Sequence, residues 1–599
     1  MATTPKILYL DGIRFKRAIV AAANWLSQMQ NYLDNINVFP VPDHDTGTNM
    51  AHTMHCIAEN IQDSPDTSAC GIMRAVADSA LLDAQGNSGA ILAQFFLGFS
   101  EGLRDAERID TGTFAAAAGR GAAFSRDAIM DPREGTILTI IREWANHTER
   151  LSSETDDFHV LLRDSYAAAR ELLKDTTGKL ESLRKAGVVD AGAQGFVYIL
   201  EGTVDFMNNG RIDRKLETTA AVKLESVAVT DDSFENTKFR YCTECLLTGD
   251  SIDIGMLKND MGPLGDSIVV AGSSRKARIH IHTNDPSSVV NIVSAHGRIL
   301  QDKVDDMHQQ HADTYSREKP SVAIVTDSTC DLPAELLQKH NIHMVPLHVH
   351  FGESSFIDKF TISTSTFYER LLTSEHHPKT SQPNPRDFMR MYEFLARHYD
   401  SVISIHISSR LSGTFQAAQK SAKAVSDNIT VIDSKTASIG LGLIVLQAAR
   451  AAERGSGRDE VVSTVNRMIE NSTLFLAPET IEYLIKGGRI GKVKGIFGRL
   501  LNLKPVFIIN DEGAIQVIGK TTGRASIHKK TMETIKKTAA GRQNFCFIVG
   551  SGNSPEVQDW YRREITNHFN PDELLTADIS PVIGVHVGPS AAGVAFAWL

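Results

Sequence analysis

The stretch S-V-A-I-V-T-D-S-T-C-D-L-P-A-E-L-L at residues 321–337 joins an apolar run, a polar turn and a helix-like segment. The β-branched residues of the run are typical of a buried strand. Pro333 suits the first turn of the following helix, because that position needs no backbone N–H donor. The stretch therefore predicts a strand, a turn and a helix in direct succession.

The same arrangement recurs in S-V-I-S-I-H-I-S-S-R-L-S-G-T-F-Q-A-A at residues 401–418. Strand-like and helix-like segments interleave from about residue 320 onward, and such a pattern favours an α/β domain with a mainly parallel sheet. We place this domain at residues 319–599.

The residues before this domain fall into two regions with different sequence patterns. Up to residue 210 the apolar residues have helical spacing and alanine and glycine are dense, which predicts an all-α domain of closely packed helices. From 211 to 315, alternating and β-branched segments predict an α+β middle domain. The polar residues 301–320 predict a linker with some helix. The predicted fold class is thus multidomain: all-α, α+β and α/β.

The composition is ordinary for a globular protein, and 599 residues exceed one hydrophobic core, so we expect about three to five domains. A formal charge of −10 argues against a nucleic-acid binder. No apolar run reaches the roughly 18 residues needed to cross a bilayer. Scattered cysteines and an N-terminus without the apolar core of a secretory signal lead us to expect a cytoplasmic protein.

Chemistry-bearing motifs begin with N-V-F-P-V-P-D-H-D-T-G-T-N-M, which contains Asp43 and Asp45. Carboxylate oxygens suit Mg²⁺, which is commonly held by a couple of carboxylates and substrate phosphates. Three further small-residue turns each precede an apolar helix, at 86–89, 134–136 and 190–195. Free N–H groups at helix starts attract anions, so the set predicts a Mg²⁺–nucleotide site. The alternative is that these turns are helix caps and packing glycines.

In this order, the motifs resemble the kinase subunit of bacterial fatty acid kinase. Its N-terminal domain is similar to the nucleotide-binding domain of dihydroxyacetone kinases, the DAK2 or DhaL-like domain, an all-helical barrel. The resemblance covers about the first 205 residues. It implies that Asp43 and Asp45 are catalytic Mg²⁺ ligands, with Asn37 as a candidate third ligand. It also implies an ATP-binding set: Thr46, Thr48, Asn49, Gly86, Asn87, Ser88, Gly89 and Asp190.

Two residues depart from the family pattern. His44 stands where the family has glycine, and a side chain there would strain the loop if the position needs a positive φ. Gln85 stands where the family has arginine, and an amide cannot supply the charge that an arginine would give a transferring phosphate. A degenerate, inactive kinase site is therefore one hypothesis. His44 as a metal ligand is a weaker alternative, because imidazole matches Mg²⁺ poorly.

In the middle region, His280 and His282 have strand spacing and therefore share one face. Cys242 could add a thiolate, giving three of the four ligands expected of zinc. Cys245 suggests a C-x-x-C pair, but positions 242 and 245 of a regular strand face opposite sides. From spacing alone, paired histidines on an ordinary sheet face remain the alternative. The segments Y-C-T-E and H-x-H-T-N-D-P resemble the middle domain of the same kinase subunit, which implies Zn²⁺ at Cys242, His280 and His282.

Four separated segments of the last domain carry groups that suit an anion: K-T-S-Q-P, S-G-T, K-G-G-R-I-G and V-H-V-G-P. Each could equally be a structural turn, a solvated arginine or a satisfied histidine. With V-T-D-S-T-C-D-L-P and V-I-D-S-K-T-A-S, their order resembles the DegV-type fatty-acid-binding proteins. This implies two α/β lobes around a long-chain fatty acid. The implied head-group residues are Thr380, Ser381, Ser412, Gly413, Arg489 and His586, of which the last two would be catalytic by positioning or stabilising the phosphate.

These resemblances together imply a fatty acid kinase fused to its lipid carrier, which converts ATP and a bound fatty acid into ADP and acyl phosphate. Tethering would raise the effective concentration of the carrier at the kinase. An inactive lipid-binding sensor or carrier is the main alternative, and a polyol kinase is a third that the DegV-like half argues against. We also expect a homodimer, and transient membrane-surface contact during lipid exchange.

Overall fold

The computed structural model describes residues 6–39, 44–212, 238–316, 319–490 and 504–598. Two compact units, Met1–His311 and Ala312–Leu599, divide the chain. None of the helices in these described ranges combines the length and the hydropathy that a membrane crossing requires.

The N-terminal part of the first unit is helical, as predicted. Its only strands among the described residues, β1 (Leu10–Asp11) and β2 (Arg108–Ile109), pair antiparallel. The helices are α1 (Gly12–Gln28), α2 (Gln30–Asn35), α3 (Thr46–Gln62), α4 (Ala69–Asp83), α5 (Gly86–Leu103), α6 (Thr111–Ala128), α7 (Ile137–Ser152), α8 (Phe158–Lys174), α9 (Thr176–Lys179), α10 (Glu181–Ala186) and α11 (Ala191–Asn209).

Close helix packing explains the dense alanine and glycine of this part. A Cβ atom on Gly102 of α5 would lie 2.7 Å from the Cα of Ala117 on α6, so the two backbones approach without room for a side chain. The helices surround an apolar cavity of about 350 Å³, lined by aromatic residues such as Phe95, Phe99 and Trp144.

The middle part of the first unit is an antiparallel sheet of strand order β4-β5-β3-β6 with helices. Its elements are β3 (Tyr241–Thr248), α12 (Ile254–Met261), β4 (Gly265–Ser273), β5 (Lys276–Thr283), α13 (Pro286–His296), β6 (Arg298–Asp306) and the start of α14 (Met307–Tyr315), whose residues from Ala312 onward belong to the second unit. The prediction of a linker with some helix over 301–320 is wrong for 301–306, which belong to β6, whereas α14 is a helix of the kind it allowed for. The backbone of β6 pairs with β3 along one edge of the sheet, and an edge strand needs few apolar side chains.

The sheet packs on the helical part within this unit. Ile129, just after α6, forms a β-bridge with Val269 of β4, and the amide of Met130 donates to the carbonyl of Ile268 at 3.1 Å. Leu81 and Ala90 pack against Val269 in a small apolar cluster. One face of the sheet therefore meets the ends of α4 and α6 and the start of α5.

Among its described residues, the second unit contains two larger sheets and a small one. The first, of order β13-β12-β7-β8, is parallel, and β10-β9-β11 is a small antiparallel sheet. These strands and their helices are β7 (Val322–Asp327), α15 (Ala334–Lys339), β8 (His343–Val345), β9 (His348–Phe351), β10 (Ser354–Ile357), α16 (Thr364–Thr373), β11 (Lys379–Ser381), α17 (Pro385–His398), β12 (Ser401–His406), α18 (Thr414–Val425) and β13 (Ile429–Asp433).

The second larger sheet has the order β16-β15-β14-β19-β17-β18 and is mixed. Among its described strands, β17 and β18 are the only parallel pair, and β15 and β16 form an antiparallel hairpin. The expectation of a mainly parallel sheet is therefore confirmed for the first sheet and wrong for this one. The remaining elements are α19 (Ser438–Glu453), α20 (Arg458–Glu470), β14 (Ser472–Ala477), α21 (Glu482–Lys486), β15 (Lys504–Ile509), β16 (Ile515–Thr521), α22 (Arg524–Thr538), β17 (Phe545–Ser551), α23 (Pro555–Phe569), β18 (Glu573–Asp578), α24 (Pro581–Val587) and β19 (Ala592–Trp598).

Helix α19 lies between these two sheets. It contacts β7 and β12 on one side and β14, β17 and β19 on the other. Nearly all of its residues are buried, which is the pattern of a helix that is apolar all round. The all-α, α+β and two-lobed α/β fold class is therefore confirmed.

Candidate functional site

A cavity of about 690 Å³ in the first unit lies where four helices begin. Residues at or beside the starts of α3, α5, α7 and α11 line it: Thr46, Asn49, Gly86, Asn87, Ser88, Thr136, Ile137, Asp190 and Gly192. The N–H groups of a first helical turn have no partner within the helix and carry partial positive charge. A cavity bordered by four helix starts is therefore suited to an anion.

The aspartate loop contributes oxygen ligands to this cavity. Asp45 and Asn37 both line it, and carboxylate and amide oxygens are donors that Mg²⁺ accepts. Asp43 lies outside the described residues. The donor set that is described therefore fits the predicted magnesium site.

His44 has a φ of +55°, in the left-handed region that glycine adopts freely. The family glycine thus corresponds to a position that needs this conformation. Histidine is one of the side chains enriched there among non-glycine residues. The Nδ1 of His44 lies 2.6 Å from the carbonyl oxygen of Asp34, so Nδ1 is the protonated nitrogen and donates this hydrogen bond.

Thr48 does not line the cavity. Its amide donates to one oxygen of Asp34 at 2.9 Å and its hydroxyl donates to the other at 2.8 Å. These bonds tie the start of α3 to α2. We therefore assign Thr48 to holding the loop and leave it out of the proposed phosphate-binding set.

The turn at Gly86 is shaped by glycine. Gly86 has a φ of +63°, and a Cβ there would lie 2.5 Å from Nδ2 of Asn49. The Oδ1 atom of Asn87 is buried and has no hydrogen-bond partner among the described residues. Gly89 is buried against Thr53 and does not line the cavity, and neither does Gln85. Asn87 and Ser88 are thus the side chains that this turn presents.

Asp190 joins the starts of two helices. Its Oδ2 accepts from the amide of Ala193 at 2.8 Å and from the amide of Ile137 at 3.1 Å, which connects α11 to α7. Burial raises the pKa of Asp190 to about 6, although both hydrogen bonds favour the charged form. Asp190 is the N-cap of α11 at the edge of the cavity, and both of these hydrogen bonds come from backbone amides.

The opposite wall of the cavity is a polar face of the sheet. Strand register pairs Cys242 with His282 and Glu244 with His280, and all four side chains line the cavity. Lys303 of β6, opposite Glu244, lines it too. This wall could not be inferred from the linear motifs, because it depends on how the sheet packs against α5.

Three of these side chains could hold a metal ion. Ligand atoms of Cys242, His280 and His282 all lie within 4.8 Å of one another, and the two Nε2 atoms are 3.3 Å apart. Burial lowers the pKa of His282 to about 3, which keeps its imidazole in the neutral form that binds metals. Cys245 pairs with Ile279 on the other face. One thiol and two imidazoles with an open fourth position fit zinc.

Glu244 lies beside this cluster and is almost fully buried, with 3% of its side chain exposed. Burial alone would raise its pKa, but the hydrogen bond with His280 and the charges of Lys303 and Arg278 outweigh burial and hold the pKa below its usual range. Glu244 is therefore an ionised carboxylate inside the cavity wall. The predicted site residues did not include it.

In the second unit, a pocket of about 60 Å³ brings together Thr380, Ser412, Arg489 and His586 with apolar side chains. The hydroxyl of Thr380 lies 3.1 Å from Nε2 of His586. Burial, with the charge of Arg489, lowers the pKa of His586 to about 3, so the imidazole is neutral at pH 7. Its Nδ1 has no hydrogen-bond partner among the described residues.

Two predicted head-group residues lie outside this pocket. Ser381 is exposed and its hydroxyl lies 3.0 Å from Nε2 of His350. Gly413 precedes α18, and its Cα faces the side-chain amide of Gln382. Strand alternation explains the first case, because neighbours on β11 point to opposite sides.

Three family models match consecutive parts of the chain. A DAK2 domain matches residues 40–205, a middle domain of the fatty acid kinase A-like type matches 238–314, and a DegV family model matches 321–598. A DegV domain-containing protein of Clostridium acetobutylicum is 35% identical over 279 residues, which cover 46% of this chain and 97% of that protein. The chain belongs to the DegV family. In it, the DegV domain follows a DAK2 domain and a fatty acid kinase-like middle domain, as the sequence motifs predicted.

Three further proteins are similar to the chain over larger or comparable shares of its length. Protein YloV of Bacillus subtilis is 29% identical over 482 residues, 79% of this chain and 82% of YloV. A solved fatty-acid-binding DegV family protein of Thermus thermophilus is 30% identical and covers 46% of this chain and 99% of its own, with a TM-score of 0.45. DegV of Bacillus subtilis, described as a fatty acid binding protein, is 28% identical with a TM-score of 0.44 and covers 47% of this chain and 100% of its own.

Proposed function

We propose that this chain is a fatty acid kinase that transfers the γ-phosphoryl group of ATP to a fatty acid carboxylate held by the DegV domain. The observation that carries the proposal is the convergence of four helix starts and Asp45 on one cavity. A polyphosphate with its cation needs both features, namely N–H groups and helix dipoles for the anion and carboxylate oxygens for the metal.

On the nucleotide side, Thr46, Asn49, Asn87 and Ser88 would donate hydrogen bonds to phosphate oxygens. Asn87 would donate through its Nδ2, whereas its buried, unpartnered Oδ1 is an acceptor and would suit the bound cation or a donor group of the nucleotide. Mg²⁺, when bound, would neutralise phosphate charge and align the β- and γ-phosphates.

Metal binding on the nucleotide side would fall to Asp43, Asp45 and Asn37. Gln85 cannot supply the positive charge that the family arginine would give the transferring phosphate. Lys303 and Arg133 line the cavity and would supply positive charge in its place. The reaction needs little general acid–base catalysis, because phosphoryl transfer depends mainly on positioning and charge stabilisation.

On the acceptor side, the hydroxyls of Thr380 and Ser412 would hold the fatty acid carboxylate. That carboxylate is ionised at neutral pH, so no general base is needed. Arg489 would supply the positive charge, and neutral His586 would orient Thr380. The pocket of about 60 Å³ is small for a long acyl chain, so binding requires its apolar walls to separate.

The reaction is an exchange of one P–O bond for another. A carboxylate oxygen attacks the γ-phosphorus, the bond between that phosphorus and the β,γ-bridging oxygen breaks, and ADP leaves with the electron pair. The products are ADP and acyl phosphate, and the net proton balance at the carboxylate is zero.

The test is ADP release by purified protein with Mg-ATP, measured with and without oleate. We expect oleate-dependent turnover that Asp45→Asn reduces by two orders of magnitude or more, because an amide is a poor substitute for an anionic metal ligand. Asp110→Asn is the matched control, because Asp110 caps α6 outside the cavity and asparagine caps equally well. Lipid binding without any turnover would contradict the proposal and leave an inactive carrier.

A further inference from the structure

Glu244 joins the metal-binding cluster to the turn that begins α5. Its Oε1 accepts a hydrogen bond from the amide of Gly86 at 2.6 Å and lies 3.3 Å from Nδ1 of His280. A single carboxylate oxygen therefore connects a predicted zinc ligand with a predicted phosphate-binding turn. Glu244 belongs to the Y-C-T-E segment, but the zinc and ATP residues inferred from the sequence do not include it.

The other oxygen of Glu244 is held independently. Nη1 of Arg278 lies 3.2 Å from Oε2, and the same guanidinium donates to the carbonyls of Leu81 and Leu82 near the end of α4. Both oxygens are thus engaged and the side chain is buried, so the carboxylate is held between the sheet and the turn.

Lys303 of β6 faces Glu244 in the strand register and lines the same cavity, and Nη1 of Arg278 lies 3.2 Å from Oε2. The carboxylate is therefore held between two basic side chains of the sheet. The Gly86 amide is already occupied by Glu244, so the carboxylate shapes the turn that presents Asn87 and Ser88.

We propose that Glu244 is a positioning residue that couples metal binding at Cys242, His280 and His282 to nucleotide binding at the Gly86 turn. The two Nε2 atoms of the histidines lie 3.3 Å apart and would serve one ion, and Nδ1 of His280, which lies 3.3 Å from Glu244 and 3.7 Å from Sγ of Cys242, would then donate to Glu244. Carboxylates that accept from a metal-bound histidine orient the ring and raise its basicity. The inference rests on the proposed function, because it takes the Gly86 turn to be part of the nucleotide site.

Linkage makes the coupling measurable from either side. If zinc strengthens nucleotide binding, nucleotide must strengthen zinc binding by the same factor. The experiment measures the zinc affinity of the full-length protein by competition with a chromogenic chelator, with and without saturating Mg-ADP. We expect Mg-ADP to raise the zinc affinity of the unmodified protein by at least about fivefold, the lower end of typical couplings.

Two variants separate coupling from general stability. Glu244→Gln keeps the shape but loses the charge, and we expect it to bind both zinc and Mg-ADP with less than about twofold coupling. Asp260→Asn is the matched control: it removes a carboxylate that lies 2.8 Å from Nε2 of His296 in the same part of the unit, away from the cavity. It should retain the full coupling.

The outcomes are distinct. Zinc and Mg-ADP that bind independently in the unmodified protein overturn the inference and leave the proposed function standing. Undiminished coupling in Glu244→Gln also overturns it. Failure of the unmodified protein to bind Mg-ADP at all contradicts the proposed function itself.

A second measurement needs no variant and covers the case in which Glu244→Gln does not fold. Amide hydrogen exchange of the peptide containing Gly86 should accelerate at least about fivefold when the chelator removes zinc, because the Gly86 amide loses its ordered acceptor. The start of α7, where the Gly135 amide donates to Thr139 at 2.8 Å, is the internal reference and should not change. Equal protection of the Gly86 peptide with and without zinc would overturn the proposal.

Discussion

Replacing Asp190 by asparagine should raise the stability of the first unit at neutral pH and flatten its dependence on pH. Burial raises the pKa of Asp190 from 3.8 to about 6. The folded state therefore favours the protonated carboxyl. The stability contributed by protonation is fully present below about pH 4 and is lost as the pH rises through about 6.

The magnitude follows from the size of that shift. A displacement of about two pKa units corresponds to about 3 kcal/mol, of which about 2 kcal/mol develops between pH 4.5 and pH 7.5. Asparagine caps a helix as well as aspartate does and can still accept from the amides of Ala193 and Ile137. Asp190→Ala removes the acceptor and should be less stable than Asp190→Asn by about 1–2 kcal/mol.

The assay is urea unfolding followed by tryptophan fluorescence. In a Trp560→Phe/Trp598→Phe background, the remaining tryptophans, Trp25 and Trp144, both report on the first unit. The difference in unfolding free energy between Asp190→Asn and this background should grow by about 2 kcal/mol from pH 4.5 to pH 7.5. A difference that is independent of pH, or that shrinks as the pH rises, would refute the reasoning.

Three further predictions concern single residues. Gly487→Ala should weaken oleate binding at least about tenfold, because the added Cβ would overlap the imidazole of His586. Gly457→Ala is the control and should have no effect, because no atom lies near its Cβ. Equal affinities of the two variants in a fluorescent fatty acid displacement assay would contradict this prediction. Oleate affinity should change less than about twofold between pH 7.5 and pH 5.5, because His586, with a pKa lowered to about 3, stays neutral throughout, and a titration near pH 6.5 that disappears in His586→Gln would oppose it. His44→Ala should lose about 1 kcal/mol of stability in thermal unfolding, because alanine keeps the positive φ and loses the hydrogen bond to Asp34. His44→Gly should be nearly neutral, because the relief of backbone strain offsets the lost hydrogen bond. An alanine variant as stable as the native protein would contradict this prediction.

Strand alternation is a local rule, so spacing alone could place His280 and His282 on one face. Cys242 joined them only through the family resemblance, and the antiparallel pairing of β3 with β5 that sets it opposite His282 was visible only in the structure. Glu244 was outside the prediction because its partner Gly86 is 158 positions away in the chain. Only the packing of the sheet on α5 brings them together.

Local composition misled where backbone pairing decides the structure. Polar residues from 301 to 306 suggested a linker, yet their backbones pair with β3 as an edge strand. Thr48 was assigned to ATP binding through the family resemblance; its hydroxyl donates to the carboxylate of Asp34, and its role at the nucleotide stays a prediction. The domain limits 1–210, 211–315 and 319–599 stay predictions.

The central claim is that ATP turnover by this chain produces an activated acid. The most direct measurement incubates the protein with Mg-ATP, oleate and hydroxylamine, and quantifies oleoyl hydroxamate by mass spectrometry beside ADP. We expect hydroxamate and ADP in equal amounts, both absent without oleate. ADP formed without hydroxamate, or bound oleate with neither product, would contradict the claim.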